Sequence, residues 1–234
     1  MDKLRLFCLP HAGASASIFI KWKGLFPPNI EIVPLELAGR GQRWNEPLYH
    51  TLDEAVDDIF HRISNQLHEM PYVFLGHSMG GLIAYELIHR ISKSGLPTPQ
   101  FSVFSGVNPP HRKLNKGRYL LPDDELIKEL QSMGGVSKEL LSDVELLSLF
   151  LPIIRADFKI VETYISKEDQ SKFNFDILVL RGENDVLTPR ERMEEWMRYS
   201  SKDCSIHDLE GTHFFLYEHV EKVSKIVEAK LCEV

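Results

Sequence analysis

The chain reads as an α/β protein, a mostly parallel central sheet flanked by helices and interrupted by a helical insertion. Three observations predict this. Short β-rich runs alternate with longer helical patterns; most of the runs are apolar throughout; and the alternation stops between Val107 and Ser171. Continuous apolar strands joined by helical crossovers are buried on both faces, which is the situation of a parallel sheet.

The elements follow in order. Strands are expected at Leu4 to Leu9, Ile30 to Leu35, Tyr72 to Leu75, Phe101 to Phe104, Ile177 to Leu180 and Cys204 to Leu209. Each is a short run bounded by turn residues. Helices are expected at Leu52 to Glu69, Leu82 to Ser92, Pro189 to Tyr199 and Val220 to Leu231, with Thr188 before Pro189 suited to a cap and first-turn pair. The insertion, about 108–170, opens on Asn108-Pro109-Pro110, which ends the preceding strand. It contains helical patterns at Pro122 to Met133 and Leu140 to Ile165. There is no internal repeat or dividing linker, so 1–234 is expected to form a single domain carrying a helical lid.

Composition bounds the function. The 234 residues are 43% hydrophobic and 26% charged, enough apolar material for a core. Their net charge of −7 disfavours a phosphate-backbone ligand, so nucleic acid is not an expected partner. Cys8, Cys204 and Cys232 are an odd number without a CxxC pair, suggesting neither a disulfide framework nor a zinc site. No stretch approaches the roughly 20 apolar residues of a membrane helix, and the N-terminus lacks a secretory signal. A cytoplasmic protein, monomeric and away from membranes, is expected.

The sharpest local signal is Gly76-His77-Ser78-Met79-Gly80, directly after one strand and before a helix. Such a strand-to-helix turn is a nucleophile elbow, which strains the serine backbone and exposes its hydroxyl at the sheet's C-terminal edge. A serine needs a base to take its proton and a carboxylate to orient that base, in the chain order serine, acid, histidine. Asp185, with Glu183 as its rival, follows the fifth strand, and His213 follows the sixth in Gly211-Thr212-His213-Phe214-Phe215. His50, His61, His68, His77, His89 and His207 lie in the elbow, on helices or within a strand and are weaker candidates. No HExxH-like spacing occurs, and no catalytic metal is expected. Oxyanion donors are expected at the backbone N–H of Met79 and, from the small-residue loop after the first strand, of Ala12.

Taken together, these residues resemble the type II, external thioesterases of nonribosomal peptide and polyketide synthases, relatives of the medium-chain acyl hydrolases of fatty acid synthesis. The resemblance runs nearly end to end. Its phrases are Leu9-Pro10-His11-Ala12-Gly13, Gly39-Arg40-Gly41-Gln42-Arg43, Gly76 to Gly81, Leu121-Pro122-Asp123-Asp124 and Gly211 to Phe215, with Leu151-Pro152-Ile153-Ile154-Arg155-Ala156-Asp157-Phe158 in the insertion. It departs at His11, where an aromatic is usual, bearing on acyl-pocket polarity, and at Ala14 and Ala38. The resemblance implies the α/β-hydrolase fold, the triad Ser78, Asp185 and His213, and hydrolysis of acyl thioesters on the phosphopantetheine arm of carrier proteins, without a cofactor. Since carrier proteins are commonly acidic and this chain is too, docking is expected on a local basic patch, Arg112, Lys113, Lys116 and Arg118. A carboxylesterase or lipase, an acyltransferase, and a non-catalytic carrier-binding protein are the alternatives.

Overall fold

A computed structural model describes residues 3–114, 116–134, 143–167 and 171–233. Six strands, β1 (Leu4–Leu9), β2 (Ile30–Pro34), β3 (Tyr72–His77), β4 (Phe101–Ser105), β5 (Asp176–Gly182) and β6 (Cys204–Leu209), form one sheet in the order β2-β1-β3-β4-β5-β6. Every pairing is parallel. All six expected strands are present; β3, β4 and β5 are longer than expected by two, one and three residues, and β2 ends one residue short, at Pro34.

The apolar character of the strands follows from burial on two sides. In β1, Leu4, Leu6 and Cys8 join a core with Phe19, Trp22, Val223 and Val227, while Phe7 and Leu9 point into a second core on the opposite face. The edge strands differ. β2 and β6 carry exposed Glu31 and Asp208, and such charges discourage pairing with another chain.

Helix α1 (Leu52–Ile63) begins where Thr51 accepts a hydrogen bond from the Glu54 N–H at 3.2 Å, a side-chain cap. Leu52, Ala55, Val56, Ile59 and Ile63 form its buried stripe. It stops short of the expected Glu69 because the backbone tightens into a 3-10 turn at Ser64–Gln66. Helix α2 (Met79–Lys93) starts three residues before the expected Leu82. Its first residues include Gly80 and Gly81, poor helix formers, but the elbow after β3 leads straight into a helix buried on nearly every side.

Between β4 and β5 lie α3 (Asp123–Met133) and α4 (Val144–Glu162). Residues 140–142 of the second expected helix lie outside the described residues. Asp143 caps α4 by accepting from the Leu146 N–H at 2.9 Å. Leu126, Leu130, Leu147, Leu151, Ile154 and Phe158 make a small core between the two helices. After β5, α5 (Arg190–Met193) continues as a 3-10 turn to Arg198. Thr188 does not cap it: Pro189 holds the cap position, and the Thr188 hydroxyl is engaged elsewhere. Short α6 (Phe215–Glu218) and then α7 (Val220–Leu231) complete the chain. Among the described residues no helix is long and apolar enough to cross a membrane, and the three cysteines are free.

Candidate active site

The order of the sheet decides where the site forms. β1 has β2 on one side and β3 on the other, so the connections leaving β1 and β3 diverge and open a crevice at their C-terminal ends, the usual ligand position in such sheets. The loop 10–15 and the elbow meet there.

Ser78 has φ 54° and ψ −116°, the one non-glycine residue with positive φ among those described. Its N–H donates to the Ser105 carbonyl at 2.8 Å, tying the elbow to β4. The flanking glycines are required by close packing. A Cβ at Gly76 would sit 2.3 Å from the Gly80 carbonyl oxygen, and one at Gly80 would sit 2.3 Å from the Leu9 carbonyl oxygen. The second approach is what lets the helix start press against the loop after β1.

The structure brings Asp185 and His213 to this serine. His213 Nε2 lies 3.0 Å from Ser78 Oγ, and His213 Nδ1 lies 2.7 Å from Asp185 Oδ2. Asp185 accepts two further bonds, from the Thr188 hydroxyl at 2.6 Å and from the Leu187 N–H at 2.9 Å. Burial of Asp185 opposes its charge, but the His213 contact and these donors outweigh it and hold its carboxyl below the ordinary range. The rival Glu183 is exposed. Thr188 is a site residue that the sequence pattern assigned to helix capping; its place three residues after the acid was the available signal.

Ala12, Ser78, Met79 and His213 line one narrow cavity of about 60 Å³, with Leu82, Val107, Phe158 and Val161 as apolar walls. Met79 is the first residue of α2, so its N–H has no acceptor within the helix. His77, next to the serine, is fully buried and donates to or accepts from Ser105 Oγ at 2.9 Å. Its ring centroid is 5.2 Å from that of His213, and burial, reinforced by the neighbouring His213, keeps it neutral.

His11 is not among the residues lining this cavity. Its Nδ1 pairs with the Tyr217 hydroxyl at 2.7 Å, and its ring packs on Phe214. The expected effect on pocket polarity is therefore corrected: the ring turns to α6, where burial pushes its pKa down to about 3.

The basic stretch also divides. Arg118 is corrected from a docking residue to a buried one, with a side chain 6% exposed. Its Nε donates to Glu129 at 2.9 Å, its own N–H donates to Glu162 at 2.9 Å, and its guanidinium covers the Phe158 ring. Two glutamates from α3 and α4 hold the cation inside, where it joins those helices. Arg112 is 48% exposed but forked onto Glu195, whereas Lys113 and Lys116 are exposed.

A third cluster was not anticipated as a unit. Arg40, from the loop after β2, and Asp157, on α4, form a buried ion pair that also takes the N–H of Gly13. The sequence contained the signal in two separate phrases, without any indication that they touch.

Among the described residues no cluster of His, Cys, Asp or Glu is arranged to hold a metal. A family model described as thioesterase domain matches residues 4–231. The gramicidin S biosynthesis protein GrsT of Aneurinibacillus migulanus is 38% identical over 217 residues, covering 92% of this chain and 84% of that protein. The medium-chain S-acyl fatty acid synthase thioesterase of Anas platyrhynchos is 32% identical over 219 residues, 92% of this chain and 86% of that protein. Among solved structures, ClbQ from the colibactin nonribosomal peptide/polyketide pathway superposes with a TM-score of 0.94 at 30% identity, covering 99% of this chain and 98% of the other.

Proposed function

Because the chain belongs to the thioesterase family, we propose that it is an editing thioesterase. In this reading it hydrolyses misprimed or stalled acyl groups from the phosphopantetheine arm of carrier proteins on a nonribosomal peptide or polyketide assembly line. The observation that carries the reading is the hydrogen-bonded relay from Ser78 through His213 to Asp185, opening into a cavity beneath the helices between β4 and β5.

His213 Nε2 accepts the Ser78 proton as Oγ attacks the thioester carbonyl, and Asp185 accepts the Nδ1–H bond that orients the ring and stabilises the imidazolium. The N–H groups of Ala12 and Met79 bind the oxyanion as it develops. Collapse of the tetrahedral adduct expels the pantetheine thiolate, a better leaving group than an amine; the thiolate takes the proton held by His213 and departs as the thiol, leaving an acyl-serine beside a neutral His213. His213 then takes a proton from water, hydroxide attacks the acyl carbon, and the proton returns to Ser78 as the free acid departs. The chain supplies every group these steps need, so the reading includes no cofactor.

Met133, Phe158 and Val161, from α3 and α4, line the cavity, and in this reading the two helices act as a lid that moves to admit the pantetheine arm. Carrier docking falls to Lys113 and Lys116, with Arg112 partly neutralised by Glu195.

The test is hydrolysis of acetyl and longer acyl groups from a phosphopantetheinylated carrier protein by wild type and Ser78→Ala, beside an oxygen-ester control. Rapid thioester cleavage, lost in Ser78→Ala, with weak ester cleavage is the expected result. Strong ester cleavage with inert carrier thioesters makes the chain a general serine esterase instead.

A further inference from the structure

Two sequence phrases take no part in the steps above, Gly39-Arg40-Gly41 and Arg155-Ala156-Asp157-Phe158, and in the fold they meet. The Arg40 and Asp157 side chains are each 2% exposed. Arg40 Nη2 donates to Asp157 Oδ1 at 2.8 Å and Nη1 to Oδ2 at 2.5 Å, a two-pronged grip. Oδ2 accepts a further bond, from the Gly13 N–H at 2.7 Å.

Gly13 immediately follows Ala12, in a turn closed by the Ala14 N–H on the His11 carbonyl at 3.2 Å. It has φ +81°, and a Cβ there would lie 2.7 Å from Ile154 Cγ1. Ile154 and Asp157 are both on α4. One lid helix therefore holds this loop twice, by a hydrogen bond at the Gly13 amide and by packing at its Cα.

Stability alone does not account for a buried ion pair, since apolar replacement of such pairs is often neutral or stabilising. Position does. An oxyanion donor acts only when it is 2.7–3.1 Å from where the charge forms, and the anchor on Gly13 fixes the adjoining donor. Charge also fits: a lone carboxylate one residue from an oxyanion donor would oppose the developing negative charge, and Arg40 neutralises it.

We infer that Asp157, locked by Arg40, is a positioning residue that sets the Ala12 N–H at the oxyanion site, so that seating α4 and completing that site are one event. The inference rests on the reading of Ser78 as nucleophile and Ala12 as donor.

The test compares two double variants, Arg40→Met/Asp157→Leu and Arg40→Met/Asp157→Asn. Both remove the buried charges, and only the second keeps an acceptor for the Gly13 N–H. With a short acyl-pantetheine thioester, the Leu variant is expected to have a kcat roughly 10- to 100-fold below the Asn variant, less than outright loss of an oxyanion donor, with KM little changed. Affinity for a boronic acid that forms a tetrahedral adduct on Ser78 should fall in step, while a non-hydrolysable thioether analogue binds both equally and melting temperatures stay close. Equal kcat in the two, or a loss confined to KM and thioether binding, overturns the inference. If neither double variant folds, Arg40→Lys is measured: a several-fold lower kcat at constant KM supports positioning, and an unchanged kcat makes the pair purely structural. Turnover retained in Ser78→Ala would instead sink the underlying site reading.

Discussion

The C-terminal edge of the sheet and the helical insertion above it are built on different principles. The edge rests on a sheet whose strands β1, β3 and β4 are wholly buried, and its ladders and two apolar cores place Ser78 after β3, Asp185 after β5 and His213 after β6. Among its described residues the insertion has a small core of six buried side chains and several polar contacts, within itself and to the rest of the chain. Arg155 donates to the Tyr119 and Leu121 carbonyls at 2.8 and 2.6 Å, the Tyr164 hydroxyl donates to Glu86 at 2.6 Å, and Asp157 meets Arg40. A few directional bonds over a small core can open without disturbing the sheet, whereas the sheet cannot yield locally without losing its core. Ser78, Asp185 and His213 thus sit on the sheet's edge, and the insertion reaches the site through the bond of Asp157 to the Gly13 N–H.

The largest effect should come from the rigid edge. Asp185→Asn should lower kcat by about 10⁴-fold, as loss of the orienting carboxylate does in such relays, with the fold intact by circular dichroism. A loss under tenfold would remove Asp185 from the relay.

Stability should separate the regions next. Phe74→Ala, at a fully buried site, should cost about 3–5 kcal/mol of global stability. Leu147→Ala should instead speed amide exchange in α3 and α4 while leaving the exchange of β1, β3 and β4 unchanged. Equal acceleration in the strands would mean the two regions open as one.

Acid gives a smaller and signed effect. Asp185 is held below its ordinary value, so its contribution to stability is fully present above about pH 4, the unfolded carboxylate range, and is lost as pH falls through the folded value. Asp185→Asn should therefore flatten the acid limb of the stability curve below about pH 4, checked by denaturant midpoints across pH. An unchanged limb would contradict the ionised, hydrogen-bonded carboxylate.

The smallest effect belongs to the surface of the insertion. Lys113→Glu/Lys116→Glu should raise KM for an acyl carrier protein several-fold, in line with rim charges acting on association, and leave a small acyl thioester unaffected. Equal changes for both substrates would place these lysines outside docking.

Much of this was legible in the linear chain because its causes are local. Apolar runs mark most of the strands, the spacing of Leu52, Ala55, Val56 and Ile59 marks α1, and Gly76-His77-Ser78-Met79-Gly80 marks a turn that only close-packed glycines permit. Asp185 and His213 could be chosen because each follows a strand. What misled was also physical: Thr188 looks like a cap because its hydroxyl suits one, and Arg118 looks like a surface cation because burial depends on partners elsewhere, Glu129 and Glu162.

The sequence by itself determined the class of fold, the strained serine and the order of the three relay groups, since backbone sterics and hydrophobic periodicity act between neighbours. Only the tertiary structure decided that Arg40, Asp157 and Gly13 form one cluster, that His11 turns to Tyr217, and that Thr188 serves Asp185. Those contacts join residues as far apart in the chain as 206 positions, and a buried charge or polar group takes whichever partner the packed core brings within hydrogen-bond reach.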